Sequence, residues 1–283
     1  MNIISTIQEF RKWRKNISGS IGFIPTMGAL HEGHLVLVAE SNKICKNTVV
    51  SIYLNPAQFA NGEDLTTYPK TVDADLDKLA NFQVESIFFP NDSEMYPEGL
   101  STRIQENNLS RLLEGKRRPE FFSGVTTIVA KLFNIVEPTH AFFGEKDAQQ
   151  LRIVQKLVKD LNYPIHIISC PIIREENGLA RSSRNDYLTE AERKIASTIN
   201  KALQNGKKLL ISGEHNSQII KDEITQIIGA EKLLRIDYIS VADSHTLVEI
   251  SGKIEQDILV SVAVYLKDTR LIDNFSYSIS SSR

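Results

Sequence analysis

Two histidines three residues apart are the side chains of this sequence best suited to chemistry on an anion. His31 and His34 lie where the apolar positions begin to follow one face of a helix. At that spacing in a first helical turn, the two imidazoles share a face, and their N–H groups can bond phosphate oxygens and stabilise developing charge. The alternatives are an ordinary surface or core role, and a metal site. The metal site is disfavoured because no carboxylate or cysteine cluster completes it nearby.

The elements around the pair predict a strand, a glycine turn and a helix. Residues 21–24 are apolar with a β-branched bias and stop at Pro25, which is typical of a short buried strand that ends in a turn. Gly28 and Gly33 let a ligand approach the backbone closely. The backbone N–H groups at a helix start favour an anion above the strand end, so we expect a phosphate there.

Strands and helices alternate through the first part of the chain. Further strands are predicted at 48–54, 84–89, 139–143 and 164–170, with helices at 72–82, 125–136 and 148–161. This alternation predicts an α/β fold in which crossover helices connect a Rossmann-like parallel sheet.

The pattern changes towards the C-terminus. Thr189 and Glu192 form a predicted capping box before a long helix to about residue 210, and a second helix is expected at 217–228. Strands are predicted at 234–241, 247–250, 258–267 and 269–272. We therefore expect two domains, residues 1–173 with the parallel sheet and a smaller α+β domain at 174–283, with a ligand cleft between them.

Two polar stretches follow predicted strands. Gln58 stands in Asn-Pro-Ala-Gln-Phe, and its amide suits a hydroxy-carboxylate, although an ordinary loop glutamine is the alternative. In Gly-Glu-Lys-Asp-Ala-Gln-Gln, Lys146 offers a point charge for a phosphate, and Asp147 can accept from ribose hydroxyls or cap the helix. Gln150 lies one turn further on and can face the same cavity.

A third polar stretch, Arg-Ser-Ser-Arg-Asn, begins at Arg181 and precedes the helix that Thr189 caps. Its two guanidiniums and two hydroxyls can fold over a triphosphate and make charge-assisted bonds to it. The alternative is an exposed linker between the domains.

Composition excludes several classes of protein. A net charge of −2 gives no overall basic field, so we expect no nucleic-acid partner. The two cysteines, Cys45 and Cys170, form no Cys-x-x-Cys pair, which favours a reducing cytoplasm. Residues 1–15 lack the pattern of a secretory signal, and no apolar run approaches the length of a membrane span.

Four strings in this order and spacing resemble the pantothenate synthetase family of the nucleotidylyltransferase superfamily: residues 25–34 with the His-x-Gly-His signature, 55–59, 144–150 and 182–185. The resemblance spans nearly the whole chain. Two departures occur: Phe121 replaces a usual histidine after Arg118 and Pro119, and Lys70 replaces a usual arginine.

The resemblance implies an AMP-forming ligase that joins pantoate to β-alanine through a pantoyl adenylate, with ATP and Mg²⁺, as a cytoplasmic homodimer. Its implied catalytic residues are His31, His34, Lys146, Ser183 and Arg184. Its implied ATP-binding residues are Pro25, Met27, Gly28, Ala29, Leu30, His31, Glu32, Gly33, His34, Gly144, Glu145, Lys146, Asp147, Ile173, Arg181, Ser182, Ser183 and Arg184. Pantoate and β-alanine are assigned to Met27, Gln58, Gln150 and Arg118.

Two rival functions remain at this stage. A nucleotidylyltransferase that acts on another small acceptor predicts basic residues in place of Gln58 and Gln150. A non-catalytic nucleotide-binding module predicts the loss of one of His31, His34, Lys146 and Arg184, and all four are present.

Overall fold

The computed structural model describes residues 1–60 and 62–279. The strands are β1 (Asn2–Ile4), β2 (Ile21–Thr26), β3 (Asn47–Ile52), β4 (Ser86–Phe88), β5 (His140–Gly144), β6 (His166–Cys170), β7 (Leu234–Asp243), β8 (Ile258–Leu266) and β9 (Thr269–Tyr277). The helices are α1 (Ile7–Lys15), α2 (Glu32–Ile44), α3 (Val72–Leu79), α4 (Asp92–Met95), α5 (Leu113–Arg117), α6 (Phe121–Val136), α7 (Ala148–Asp160), α8 (Glu190–Ala196), α9 (Thr198–Ile211) and α10 (Ser217–Gly229). Among the described residues, none of the helices combines the length and the apolar character that crossing a membrane requires.

The chain divides into two compact units. The first comprises Met1–Glu145 and Gln149–Pro171, and the second comprises Lys146–Ala148 and the chain from Ile172 onward. The short segment around Lys146 therefore belongs to the second unit, although the elements before and after it belong to the first.

A six-stranded sheet forms the centre of the first unit. Its strand order is β1-β4-β3-β2-β5-β6, and every neighbouring pair is parallel. The chain runs outward from β2 through β3 to β4 and then returns to place β5 on the other side of β2. The strand order thus reverses between β2 and β5, and open α/β sheets bind ligands at the carboxyl ends of the strands at such a point.

Helices cover both faces of this sheet. Phe23 of β2 packs edge-on against Phe133 of α6, with ring centroids 6.4 Å apart. The next residue, Ile24, points to the opposite face and belongs to a core cluster with Leu37 and Val38 of α2. Burial on both faces explains why the central strands are continuous apolar runs. The predicted Rossmann-like parallel sheet is confirmed.

The second unit contains an antiparallel sheet in the order β7-β8-β9. Alternate residues of β8, among them Val260 and Val262, share a core with Leu203 of α9 and Ile224 of α10. The predicted smaller α+β region at the C-terminal end of the chain is therefore confirmed as a fold class.

Two local predictions in this unit are wrong. The single long helix after Thr189 is interrupted at Ser197, whose hydroxyl donates to the carbonyl of Lys194 at 2.7 Å and competes with the helical pattern. The predicted strand at 247–250 contributes only an isolated bridge, Ala242 to Glu249. There, the Asp243 side chain accepts from two backbone amides and closes a turn before a strand can form.

Candidate functional site

The two histidines cap the N-terminus of α2. The Nδ1 atom of His31 accepts the amide hydrogen of Gly33 at 3.1 Å, and the Nδ1 atom of His34 accepts the amide hydrogen of His31 at 3.3 Å. The imidazole rings lie side by side with centroids 4.1 Å apart, as their spacing predicts. Two side chains thus satisfy backbone amides at the start of the helix.

This capping determines the tautomer of each ring. Because each Nδ1 accepts a backbone N–H, each neutral imidazole carries its proton on Nε2. Both histidines are partly buried, so the pair is held by the protein while remaining reachable from solvent. Two Nε2–H donors at the positive end of a helix are suited to hydrogen-bond phosphate oxygens and stabilise their charge.

The His31 ring lies so close to the backbone of residue 33 that only a glycine fits there. A Cβ atom at residue 33 would lie 2.8 Å from Cε1 and 3.0 Å from Nδ1 of His31. Any larger residue would therefore push the imidazole away from the helix start.

The turn between β2 and the histidines is bound from the side by α3. The amides of Ala29 and Leu30 donate to the carboxylate of Asp75 at 2.9 Å and 2.8 Å. These two amides are thus engaged within the protein. Of the other predicted nucleotide-binding residues of this segment, Met27 and Gly28 lie in the turn, Pro25 lies near the end of β2, and Glu32 is the first residue of α2. Pro25 and Met27 are partly buried, and Glu32 is exposed.

Gln58 is buried beside the carboxyl end of β3, and a small network orients its side chain. The Asn55 Nδ2 atom donates to Gln58 Oε1 at 2.8 Å and to the carbonyl of Gly124 at 3.2 Å. The Tyr96 hydroxyl donates to Asn55 Oδ1 at 2.7 Å, and burial raises the pKa of Tyr96 to about 12, so this donor keeps its proton. At Gly124, a Cβ atom would lie 2.1 Å from the carbonyl of Ala57, which explains the glycine in α6.

Arg118 is engaged on three sides. Its guanidinium pairs with Glu63 through two bonds of 2.6 Å, donates to the carbonyl of Gln58 at 2.9 Å, and stacks on the Phe121 ring at 3.8 Å. Phe121, at the position where the resemblance leads us to expect a histidine, therefore serves as a platform for the guanidinium. Arg118 and Gln58 are brought together through this backbone contact.

The two neighbouring glutamines at the start of α7 differ in their surroundings. Gln149 is buried, accepts from the amide of Glu114 at 3.0 Å, and donates to the carbonyls of Leu109 and Leu112. Its role is structural. Gln150, the predicted substrate residue, is partly buried in the first turn of α7. Before it, β5 ends at Gly144, which pairs with Cys170, and Glu145 is exposed.

In the second unit, several predicted nucleotide-binding residues lie in one hairpin and the turn that follows it. The amide of Arg181 donates to the carbonyl of Ile173 at 2.8 Å, and the Ser182 hydroxyl caps the turn by accepting from the Arg184 amide at 3.3 Å. Ser183 is buried and Arg184 partly buried in this turn.

Glu175 anchors this turn from inside the unit. One of its oxygens, Oε1, accepts from Arg181 at 3.0 Å, from Asn185 at 2.8 Å and from Arg193 at 3.2 Å. Asn185 is fully buried. The Arg-Ser-Ser-Arg-Asn stretch is thus an ordered turn held by side-chain hydrogen bonds, and it is not an exposed linker.

Lys146 is held through its backbone by β9. The Asn274 side chain donates to the carbonyl of Lys146 at 2.8 Å. The Lys146 ammonium lies 3.8 Å from an oxygen of Asp147, whose side chain is half exposed. Lys146 and Asp147 belong to the second unit, as does the turn at residues 181–184. The remaining side chains described above belong to the first unit: His31, His34, Gln58 and Arg118.

Residues that the sequence analysis did not assign hold these side chains in place: Asn55, Glu63, Asp75, Glu175 and Asn274. Only Asp75 carried a clear signal. It falls on the apolar face of α3 between Val72 and Leu79, where a carboxylate needs a buried partner.

A paired-histidine turn at the reversal point of a parallel sheet is the arrangement of an α/β enzyme that handles anionic ligands. A family model described as pantoate-beta-alanine ligase matches residues 2–276. A Clostridium botulinum (strain Langeland) protein named pantothenate synthetase is 48% identical over 283 residues, which cover 99% of this chain and 100% of that protein. A Thermosipho africanus pantothenate synthetase is 46% identical and covers 97% of this chain and 99% of its own length.

Solved structures agree with these matches. Pantothenate synthetase from Thermus thermophilus superposes with a TM-score of 0.92 at 39% identity, over 97% of this chain and 99% of that chain. Pantoate-beta-alanine ligase from Francisella tularensis, complexed with beta-gamma ATP and beta-alanine, gives a TM-score of 0.79 at 34% identity over 97% of each chain. The chain belongs to the pantoate-beta-alanine ligase family, whose reaction is the ATP-dependent condensation of pantoate with β-alanine to pantothenate.

Proposed function

We propose that the chain forms pantothenate in two steps through a pantoyl adenylate, with AMP and pyrophosphate as products. The observation that carries this proposal is the His31–His34 pair, which directs two Nε2–H donors from the start of α2. Such donors suit attack at a phosphorus atom, where charge develops on the phosphate oxygens.

In the first step, a pantoate carboxylate oxygen forms a bond to the α-phosphorus of ATP, and the bond from that phosphorus to the bridging oxygen of pyrophosphate breaks. The carboxylate is ionised at neutral pH, so the step requires no general base. It requires alignment and charge compensation. We assign this alignment and charge compensation to His31, His34, Lys146, Ser183 and Arg184.

We assign pantoate to Met27, Gln58 and Gln150. The bond from Asn55 to Gln58 Oε1 supports this assignment. Because the amide oxygen faces Asn55, the Nε2 hydrogens of Gln58 point away from Asn55 and can donate to a hydroxyl or a carboxylate. Arg118, stacked on Phe121 and paired with Glu63, is assigned to a substrate carboxylate through its guanidinium.

We assign ATP to the segment that follows β2, to the residues after β5, and to the hairpin turn that starts at Ile173. The first set is Pro25, Met27, Gly28, Ala29, Leu30, His31, Glu32, Gly33 and His34. The others are Gly144, Glu145, Lys146, Asp147, Ile173, Arg181, Ser182, Ser183 and Arg184. In this proposal residues 1–173 form the nucleotide- and pantoate-binding domain, and residues 174–283 form a lid.

In the second step, the amine of β-alanine attacks the acyl carbon of the mixed anhydride, the bond from that carbon to the phosphate oxygen breaks, and AMP leaves. The attacking amine must lose a proton, and we assign this proton to water. Exclusion of bulk water protects the anhydride from hydrolysis until the amine arrives, which is the function proposed for the lid.

ATP is proposed as a substrate because the Francisella tularensis relative was solved with beta-gamma ATP and beta-alanine. We propose that Mg²⁺ enters bound to the phosphates of ATP, since phosphate oxygens are the hard ligands that it prefers. No group of three or more His, Cys, Asp or Glu side chains that could hold a metal ion occurs in residues 1–60 and 62–279.

We further propose that the protein is a cytoplasmic homodimer. The family resemblance supports the dimer, and sedimentation equilibrium measures it directly. The two cysteines are buried free thiols in the described chain, which suits a reducing compartment.

Product analysis tests the proposed reaction. The purified protein is incubated with ATP, Mg²⁺, pantoate and β-alanine, and nucleotides and phosphates are separated. We expect equal amounts of pantothenate, AMP and pyrophosphate. ADP and orthophosphate would indicate an acyl phosphate and contradict the adenylate. Calorimetry with pantoate and a non-hydrolysable ATP analogue separates the ligase from a nucleotidylyltransferase with another acceptor, because only the ligase is expected to bind pantoate.

A further inference from the structure

A buried carboxylate outside the assigned site holds the turn that precedes the histidines. Asp75 of α3 is 1% exposed. Its Oδ2 atom accepts from the Ala29 amide at 2.9 Å, and its Oδ1 atom accepts from the Leu30 amide at 2.8 Å and from the Thr71 hydroxyl at 3.1 Å. Three bonds, two of them from consecutive backbone amides, satisfy a charge that would otherwise be costly to bury.

The conformation of the turn depends on this contact. Ala29 has a left-handed backbone with φ of 51°, which is uncommon for a residue with a side chain. Consecutive N–H groups in a turn of this kind converge on one anion. Here that anion is the protein's own carboxylate, which compensates for the strained backbone at Ala29.

A second side chain of the same helix completes the contact. Lys78, one turn after Asp75, donates to the carbonyl of Leu30 at 2.5 Å. Leu30 is therefore held at its amide by Asp75 and at its carbonyl by Lys78, and the next residue in the chain is His31. The two bonds leave little freedom for the peptide that carries the first histidine.

We propose that Asp75 is a positioning residue for adenylate formation: with Lys78, it fixes the turn at Ala29 and Leu30 so that the Nε2 donors of His31 and His34 meet the reacting phosphate. This inference rests on the proposed function. Asp75 is buried, and both of its carboxylate oxygens bond to the turn amides. Its loss should therefore lower the rate of reaction of the substrate-bound enzyme more than it weakens substrate binding.

The test compares Asp75→Asn with Asp73→Asn. Both variants remove one acidic charge from the first turn of α3, but Asp73 is exposed whereas Asp75 is buried. The asparagine keeps the shape of Asp75 and places an NH₂ group against a turn amide that needs an acceptor. The measurements are hydrogen exchange at the amides of Ala29 and Leu30, and the kcat and ATP KM of pantoate-dependent pyrophosphate exchange.

We expect Asp75→Asn to lose protection at both amides and to lower kcat by about ten- to a hundredfold, the scale of a misplaced catalytic group, with a smaller change in KM for ATP. Asp73→Asn should behave as the parent protein. Unchanged kcat in a folded Asp75→Asn protein, or a loss confined to thermal stability, would overturn the inference.

If Asp75→Asn does not fold, Lys78→Met provides the second test. It removes only the bond to the Leu30 carbonyl from a partly buried position. Reduced kcat with little change in KM supports the positioning role, and parental kcat overturns it.

If the parent protein shows no pyrophosphate exchange, the proposed function fails instead. In that case, hydrogen exchange at the Ala29 and Leu30 amides still decides whether Asp75 holds the turn. If these amides are as well protected in Asp75→Asn as in Asp73→Asn, Asp75 does not hold the turn.

Discussion

Asn55 donates to Gln58 Oε1 at 2.8 Å, which fixes the direction of the buried Gln58 amide. The oxygen faces Asn55, so the two Nε2 hydrogens are the groups that Gln58 can offer to a ligand. The proposed recognition of pantoate by Gln58 therefore depends on the orientation that Asn55 gives to its amide.

Replacing Gln58 with alanine should raise the KM for pantoate about ten- to a hundredfold, the scale of one lost buried hydrogen-bond partner, with ATP KM nearly unchanged. Asn55→Ala should act in the same direction because the amide is then no longer oriented. The exposed Gln155→Ala is the control. Equal losses for pantoate and ATP would show that Gln58 does not select the hydroxy acid.

His34→Ala should lower the rate of adenylate formation by about 10²-fold, the effect of losing one oriented donor to the developing charge. The measurement is single-turnover formation of pantoyl adenylate by rapid quench. His245→Ala, at an exposed histidine, should leave that rate unchanged. Parental single-turnover kinetics in His34→Ala would remove this residue from the site.

Gly33→Ala should separate stability from activity. Alanine is a better helix former than glycine, but displacement of His31 removes the cap on the Gly33 amide. These two effects oppose each other, so the free energy of unfolding should change by less than about 1 kcal/mol. The new Cβ would lie 2.8 Å from the His31 ring and displace it, so the adenylation rate should fall. Gly229→Ala is the matched control, because no atom lies within 4 Å of a Cβ there. Undiminished activity in Gly33→Ala would mean that the His31 position is not required.

Glu175→Gln should weaken ATP binding. Glu175 holds Arg181, Asn185 and Arg193 through one oxygen, and an amide accepts these donors less strongly than a carboxylate. We expect the Kd for ATP to rise about three- to tenfold, measured by calorimetry. The adjacent Glu176→Gln, at an exposed residue, should bind ATP normally. Identical affinities in the two variants would show that the turn needs no such anchor.

The sequence predicted the elements of the first unit well because their signals are local. The apolar run of β2, the break at Pro25 and the two glycines determine a strand, a turn and a helix, and the histidine spacing predicts the contact of the two rings. Strand order was not predicted, since the pairing of β2 with β5 brings together segments more than a hundred residues apart.

The partners of Asp75 and Asn274 could not be predicted because they are distant in the chain. Asp75 binds amides 45 and 46 residues away, and Asn274 reaches the carbonyl of Lys146 from 128 residues away. Gln149 and Gln150 show the same limit at short range: they are adjacent and alike in type, and only the structure reveals that Gln149 is used to hold backbone carbonyls.

The most direct test of the adenylate mechanism is exchange of labelled pyrophosphate into ATP. The protein is incubated with ATP, Mg²⁺, labelled pyrophosphate and pantoate, with and without β-alanine. Attack of the pantoate carboxylate on the α-phosphorus is reversible and precedes the use of the amine, so the account predicts pantoate-dependent exchange that needs no β-alanine. Exchange that requires β-alanine, or no exchange from a protein that makes pantothenate with release of ADP, would contradict the adenylate and the roles assigned to His31 and His34.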